Sequence, residues 1–219
     1  MLSEERLLRT VTPGYFQILG VLTKTKPGVE ILNKHKIFNH LVPCAVLPGR
    51  DVLSNMIVES LDYNYPGPPR ILLAKALNAP SRVVRYMSTK RLQTLMRSGV
   101  SDFSEWGIRF LVQKLSDDDQ KVSVFALSIL EEASSESSYL DSLINKRAFE
   151  VLEKSGKNGA DLLLRFLSRP SGFSYLSSTD FVQKELLSWK ATGYLNYVHT
   201  VESTLSDSFK SAVWRKGYQ

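Results

Sequence analysis

The sequence predicts an all-α fold, an armadillo/HEAT-like α-solenoid of stacked antiparallel helix pairs. Three observations predict it. Apolar residues recur at steps of three and four along most of the chain, the period of one helix face. The interruptions are short and rich in proline and glycine, so successive helices pack as antiparallel neighbours. Shifting Val84, Ser88, Leu92 and Leu95 forward by 38 residues lands on Val122, Ala126, Leu130 and Ala133, and the same shift carries Trp106 to Ile144 and Phe110 to Ala148. A helix-pair unit of about 40 residues is the period of HEAT and armadillo arrays. At that length the chain holds about five pairs in a right-handed stack, each burying its oily face on the next.

The elements follow in order. Thr12-Pro13 places a capping oxygen ahead of a proline suited to a first helical turn. Ser81 to Arg97 carries Val84, Met87, Ser88, Leu92, Leu95 and Met96 on one face. Ser101 to Leu115 does the same through Phe103, Trp106, Phe110, Leu111 and Leu115, and Asp102 with Glu105 resembles a cap with its acidic third position. Ser116 with Asp119 fits the capping-box spacing ahead of Val122, Phe125, Ala126, Ile129, Leu130 and Ala133. Ala160 to Leu167 is apolar nearly all round, which predicts a helix covered on more than one side; its Arg165 must reach water or a carboxylate. Breaks are expected at Lys26-Pro27-Gly28, Leu47-Pro48-Gly49, Tyr65 to Pro69, Ala79-Pro80, Ser98-Gly99, Gly156 to Gly159 and Arg169 to Gly172.

Composition narrows the function classes. Hydrophobic residues make up 43% and charged residues 23% of the 219, ordinary for a soluble globular chain. No apolar run approaches bilayer length, since the best, Leu41 to Leu47, is broken by Pro43, so no transmembrane segment is expected. The first six residues, MLSEER, fit neither a signal peptide nor a basic transit peptide. Cys44 stands alone, which excludes an internal disulfide and predicts a reducing, intracellular compartment. The net charge of +6 gathers early: residues 1–97 hold 14 Lys/Arg against 6 Asp/Glu, whereas residues 98–219 hold 14 against 16. A basic half suits an acidic partner, yet the cations are spaced out, as expected of charges that solvate outer helix faces.

No catalytic, metal or cofactor constellation emerges. The histidines are His35, His40 and His199, and the first two are five apart, where ligands sharing a helical face stand four apart. No cysteine pair exists to hold zinc. Ser155 to Gly159 is glycine-rich but lacks the Lys-Ser/Thr ending of a phosphate-cradling loop, so a helix–helix turn explains it. Gly172 to Leu176 holds only the first half of a nucleophile elbow. Asp117, Asp118 and Asp119 are three acids at a helix start, where the helix dipole favours them. Two surface features remain. Arg82, Arg85, Lys90, Arg91 and Arg97, with Arg70 and Lys75 just before them, offer a basic face for an acidic partner segment. Trp189, Tyr194, Tyr197, Phe209, Trp214 and Tyr218 form an aromatic stretch suited to docking on a neighbouring repeat.

Three stretches carry a resemblance. Ser60 to Leu77 (SLDYNYPGPPRILLAKAL), Trp106 to Leu115 (WGIRFLVQKL) with Ser128 to Ala133 (SILEEA), and Leu162 to Leu176 (LLLRFLSRPSGFSYL) resemble, in the same order, the middle region of the Rictor family. The resemblance covers residues 60–176 best. It implies middle-region helical repeats over 61–176, N-terminal repeats over 1–60, and C-terminal helices over 177–219 that continue the array. It implies a non-catalytic, rapamycin-insensitive scaffold of TOR complex two. The partners it implies are the TOR kinase, a Sin1-type subunit and other components of the complex, with AGC kinases as the substrates the complex serves. Cytoskeletal organisation, growth and survival are the processes implied. The location implied is cytoplasmic, with peripheral association with the plasma membrane through the complex. Family members are far longer, so the chain is expected to be a fragment. An armadillo-type adaptor, binding acidic peptide or nucleic acid through the basic N-terminal half, is the alternative. An adaptor would need a ladder of Trp and Asn, and the three Trp are scattered. The main reading expects no nucleic acid; strongly salt-dependent binding would mark the alternative.

Overall fold

Short helices with chemically legible ends follow one another along the described residues, which are 12–193 together with 198 and 202 in this computed structural model. They are α1 (Thr12–Thr23), α2 (Lys26–Lys34), α3 (Ile37–Ala45), α4 (Asp51–Ser60), α5 (Pro68–Leu77), α6 (Arg82–Arg97), α7 (Phe103–Lys114), α8 (Gln120–Ala133), α9 (Ser137–Asn145), α10 (Phe149–Lys154), α11 (Gly156–Phe166), α12 (Pro170–Ser177) and α13 (Phe181–Thr192). Among the described residues there is no strand, and no helix is long and apolar enough to cross a membrane.

Several starts and stops differ from expectation. Lys26-Pro27-Gly28 lies inside the first turn of α2, where the Thr25 hydroxyl oxygen accepts from the Gly28 N–H at 3.2 Å. Pro170 likewise opens α12, and only Gly156, at φ 71°, marks the boundary between α10 and α11. A first helical turn leaves its N–H groups unbonded, so a proline there loses nothing. Asp102 takes a left-handed backbone, φ 56°, and makes no side-chain cap; aspartate tolerates that region better than most residues. The cap of α8 is Asp119 and not Ser116: its carboxylate accepts from the Lys121 and Val122 N–H groups at 2.9 and 3.3 Å. Helix α6 ends on Gly99, φ 64°, with Gly99 N–H donating to Met96 O at 3.1 Å and Val100 N–H to Leu95 O at 3.3 Å. That pairing is the Schellman stop, and it requires the left-handed residue.

Two units are distinguished, residues 1–171 and 172–219. Within the first, α1, α4, α6, α8 and α11 form a series in which each helix packs on the next. A second series lies beside it: α3 packs on α5 and α7 on α9, while α5 crosses to α6 and α7 to α8. Stacked pairs of this kind bury one face per helix and leave the other to solvent. The 38-residue register survives in the burial pattern. Val84, Ser88, Leu92 and Leu95 are buried, as are their counterparts Val122, Ala126, Leu130 and Ala133, and Ser142 donates to the carbonyl of Ser104, 38 residues earlier. Aromatic rings fill the space between α7 and α9, where Phe103 meets Trp106 at 5.1 Å and Tyr139 at 5.9 Å between centroids.

Helix α11 departs from the all-round apolar expectation. Leu162, Leu163 and Phe166 are fully buried, but Asp161 and Arg165 are exposed, so the helix has a wet face. Arg165 donates to the Glu131 carbonyl at 3.0 Å and the Ser134 hydroxyl at 2.6 Å. Its hydrogen bonds therefore go to the carboxyl end of α8, where a cation is favoured, and its charge also acts on the Glu131 carboxyl. In the second unit, the Thr179 hydroxyl oxygen accepts from the Phe181 N–H at 3.3 Å at the start of α13, and Trp189 donates its indole N–H to Glu185 at 3.2 Å. Tyr194, Tyr197, Phe209, Trp214 and Tyr218 lie outside the described residues.

Candidate partner interface

Helix α6 carries all five predicted cations, and its geometry separates them. At about 100° per residue, Arg82, Lys90 and Arg97 share one side of the helix, whereas Arg91 points to the opposite one. Each has its own environment.

Arg85 is mostly covered, with 15% of its side chain exposed, and faces Asp117, 3% exposed. Its Nε donates to both carboxylate oxygens of Asp117 at 3.1 and 3.0 Å, and its Nη1 donates to the carbonyls of Ala79 and Pro80, each at 3.1 Å. Lys114 approaches Asp117 from the other side at 3.0 Å and also donates to Leu77 O at 2.7 Å and Asn78 Oδ1 at 3.1 Å. One carboxylate thus gathers two cations, Lys114 satisfying the last carbonyl of α5 and Arg85 two carbonyls just past its end. Burial alone would raise the Asp117 carboxyl. The backbone N–H of Asp119 and the donors of Arg85 and Lys114 outweigh it, so the group sits below its ordinary value. A charge cluster built on one shared carboxylate is a structural device, since removing that carboxylate strands both cations.

Arg91 serves the core in a second way. Its Nη2 donates to Leu61 O at 3.2 Å, and its guanidinium lies 5.7 Å from the ring centre of Tyr63. Tyr63 is fully buried and donates its hydroxyl to Val58 O at 2.7 Å. Arg70 completes this corner. It donates to the carbonyls of Tyr63, Asn64 and Ser101 at 2.9, 2.7 and 3.1 Å and lies 4.6 Å over the Trp106 ring. The turn around Tyr63 to Pro69 is therefore clamped by two arginines, with the Asp62 N–H donating to Thr23 at 2.9 Å to fasten it to α1.

Arg97 is exposed but engaged, its Nε and Nη2 donating to Glu132 at 2.7 and 2.9 Å. The Arg97 hydrogen bond holds the Glu132 carboxyl below its ordinary value. Arg82 is 74% exposed, with Asp119 at 3.9 Å. Lys90 and Lys75 are exposed. The structure thus brings Arg82, Lys90 and Arg97 to the outer side of α6 and turns Arg85 and Arg91 inward. Asp117 is the functional neighbour that sequence reasoning missed. Its place among three consecutive acids reads as dipole matching, and the one available signal was Arg85, 32 residues away.

The remaining polar residues build no second site. His35 and His40 are exposed on α2's end and α3, and His199 lies outside the described residues. Among the described residues, no group of three or more His, Cys, Asp or Glu is placed to hold a metal.

Comparison with known proteins adds a sequence relationship. Residues 102–211 match the model described as the rapamycin-insensitive companion of mTOR RasGEF_N domain, and residues 1–96 match that of the rapamycin-insensitive companion of mTOR, middle domain. Protein pianissimo A of Dictyostelium discoideum is 46% identical over 216 residues, which cover 98% of this chain and 19% of the relative. The human rapamycin-insensitive companion of mTOR is 37% identical over 207 residues, covering 94% and 12%. The target of rapamycin complex 2 subunit ste20 of Schizosaccharomyces pombe is 34% identical over 211 residues, covering 95% and 16%. The chain therefore spans less than a fifth of the length of these curated relatives.

Proposed function

The chain belongs to the Rictor family, that of the rapamycin-insensitive companion of mTOR, and from this membership we propose that it forms part of a non-catalytic scaffold subunit of TOR complex 2. The observation that carries the proposal is the match of nearly the whole chain, 95%, to a protein named as a subunit of that complex. The packing supports it. The most heavily hydrogen-bonded charged groups, Asp117, Arg85 and Lys114, are engaged with one another and with backbone carbonyls instead of lining a cleft. Such an arrangement fixes the pitch of a helical stack. In this reading the TOR kinase and a Sin1-type subunit are its partners, and AGC kinases are substrates of the assembly, which works in the cytoplasm and at the plasma membrane. The outer side of α6, with Arg82, Lys90 and Arg97, is the part of the predicted basic face available to such partners.

Depleting the full-length parent and scoring phosphorylation of the hydrophobic and turn motifs of AGC kinases tests the reading. Phosphorylation falls if the parent is a scaffold of the complex, and it returns with re-expression. Undiminished phosphorylation after complete depletion rejects the assignment.

A further inference from the structure

A furrow runs over the outer surface from α6 across α8 to α10. Three adjoining depressions of about 670, 220 and 420 Å³ make it up, and they share Tyr86, Gln120, Lys121 and Val124 among their walls. The floor is apolar: Val83, Tyr86 and Met87 from α6, then Val124 and Phe125 from α8. Val83 is 47% exposed and Val124 54%, a placement that the helical stack itself does not require. The Tyr86 ring stacks on Phe125 at 5.0 Å between centroids and 28° between planes, so this floor is a fixed plate bridging two helices. Beyond Val124 the furrow turns mixed, with Val151 beside Ser116, Ser123 and Ser155.

The rim is cationic. Arg82 and Lys121 stand at one end and Lys154 at the other. The acid that lines it, Asp119, accepts from the first N–H groups of α8 and lies 3.9 Å from Arg82. Glu132, one turn beyond Ser128, is held by Arg97 at 2.7 Å. Lys90 lies one turn beyond Tyr86 on the same stripe of α6 and is exposed. The apolar strip between α6 and α8, rimmed by charge, marks an interaction surface.

We propose that this furrow seats an acidic segment of a partner protein that presents apolar side chains at helical spacing. The apolar floor takes the anchors of a helix laid in a groove, and the cationic rim selects carboxylates on its flanks. A second copy of this chain is disfavoured by the same charges, because a two-fold contact through the furrow would set cations against cations. The proposal is independent of which complex the parent joins.

Fluorescence anisotropy of the 219-residue chain with three labelled peptides tests it. Each peptide has about 14 residues, enough as a helix for roughly 20 Å: one with leucine and phenylalanine on one face and glutamate on the other, one with lysine in place of glutamate, and a scrambled acidic control. The acidic amphipathic peptide is expected to bind at least about tenfold tighter than the others, with affinity falling as salt rises. Tyr86→Glu with Val124→Glu abolishes this binding while helicity by circular dichroism is retained. Lys121→Glu with Lys154→Glu transfers the preference to the lysine peptide, a gain that an unfolded chain cannot show. Equal affinity for all three peptides overturns the proposal, as does acidic binding that survives Tyr86→Glu with Val124→Glu, or a preference that does not transfer. A dimer in sedimentation velocity that is lost in the Tyr86→Glu, Val124→Glu variant also overturns it, since the occupant would then be a second copy.

Discussion

The ammonium of Lys114, the last residue of α7, lies 2.7 Å from the carbonyl oxygen of Leu77, the last residue of α5. The contact joins two helices of the same layer through the negative end of one of them. It is possible because Asp117 compensates the lysine's charge at 3.0 Å and because Arg85 shares that carboxylate. Asp117→Ala leaves two mostly buried cations without their anion and is expected to cost about 3 kcal/mol. Urea denaturation of the 219-residue chain measures it, and Lys114→Met, which leaves the Asp117–Arg85 pair intact, should cost less.

The same carboxylate gives a pH signature. Its folded value is depressed, so its stabilisation is fully present above the ordinary carboxylate range and is lost as pH falls through that range toward the lower folded value. Wild-type stability should fall on acidification below about pH 4, and Asp117→Asn should flatten that limb of the curve. Parallel acid limbs for the two proteins would assign the loss to other groups.

Two glycines test the backbone account. Gly99 holds φ 64° at the stop of α6, and nothing stands within 4 Å of a Cβ built there, so Gly99→Ala is expected to cost about 1 kcal/mol from conformation alone. Gly107 holds an ordinary helical conformation, but a Cβ would lie 2.4 Å from the Phe103 ring. Gly107→Ala should therefore cost about 1–3 kcal/mol through overpacking, and Phe103→Leu in the same chain should recover part of it. Both are read from thermal or urea melts.

The outer and inner cations of α6 should separate cleanly. Arg82→Glu with Lys90→Glu is expected to leave the urea midpoint of the chain unchanged, because exposed charges contribute little to stability. Arg85→Glu sets a second anion beside Asp117 and should destabilise the fold outright. Equal melting of the two variants would mean that Arg85 is not part of the hub.

The helices and their order were legible because apolar spacing is a local signal, and the repeat of Val84 to Leu95 at Val122 to Ala133 survives as matched burial. Helix starts were less legible. Proline looks the same in sequence whether it breaks a chain or opens a first turn, which is why Lys26-Pro27-Gly28 and Pro170 fell inside helices. Asp102 and Asp119 read alike as caps, yet one uses its backbone and the other its side chain. The basic helix was visible only as composition. Which of its cations face inward depends on Asp117, Leu61 and Tyr63, residues brought near by stacking and separated from them along the chain by 28 residues or more, as 30 separate Arg91 from Leu61. The Ala160 to Leu167 helix was misjudged because apolar content in a short window hides a single exposed stripe.

Purifying the full-length parent from its own cells and quantifying what accompanies it by mass spectrometry addresses the scaffold assignment most directly. The TOR kinase is expected at near-equal amounts, and in reduced amount when Asp117→Ala destabilises the stack. A parent that purifies without the TOR kinase, under conditions where its own helical content is intact, contradicts it.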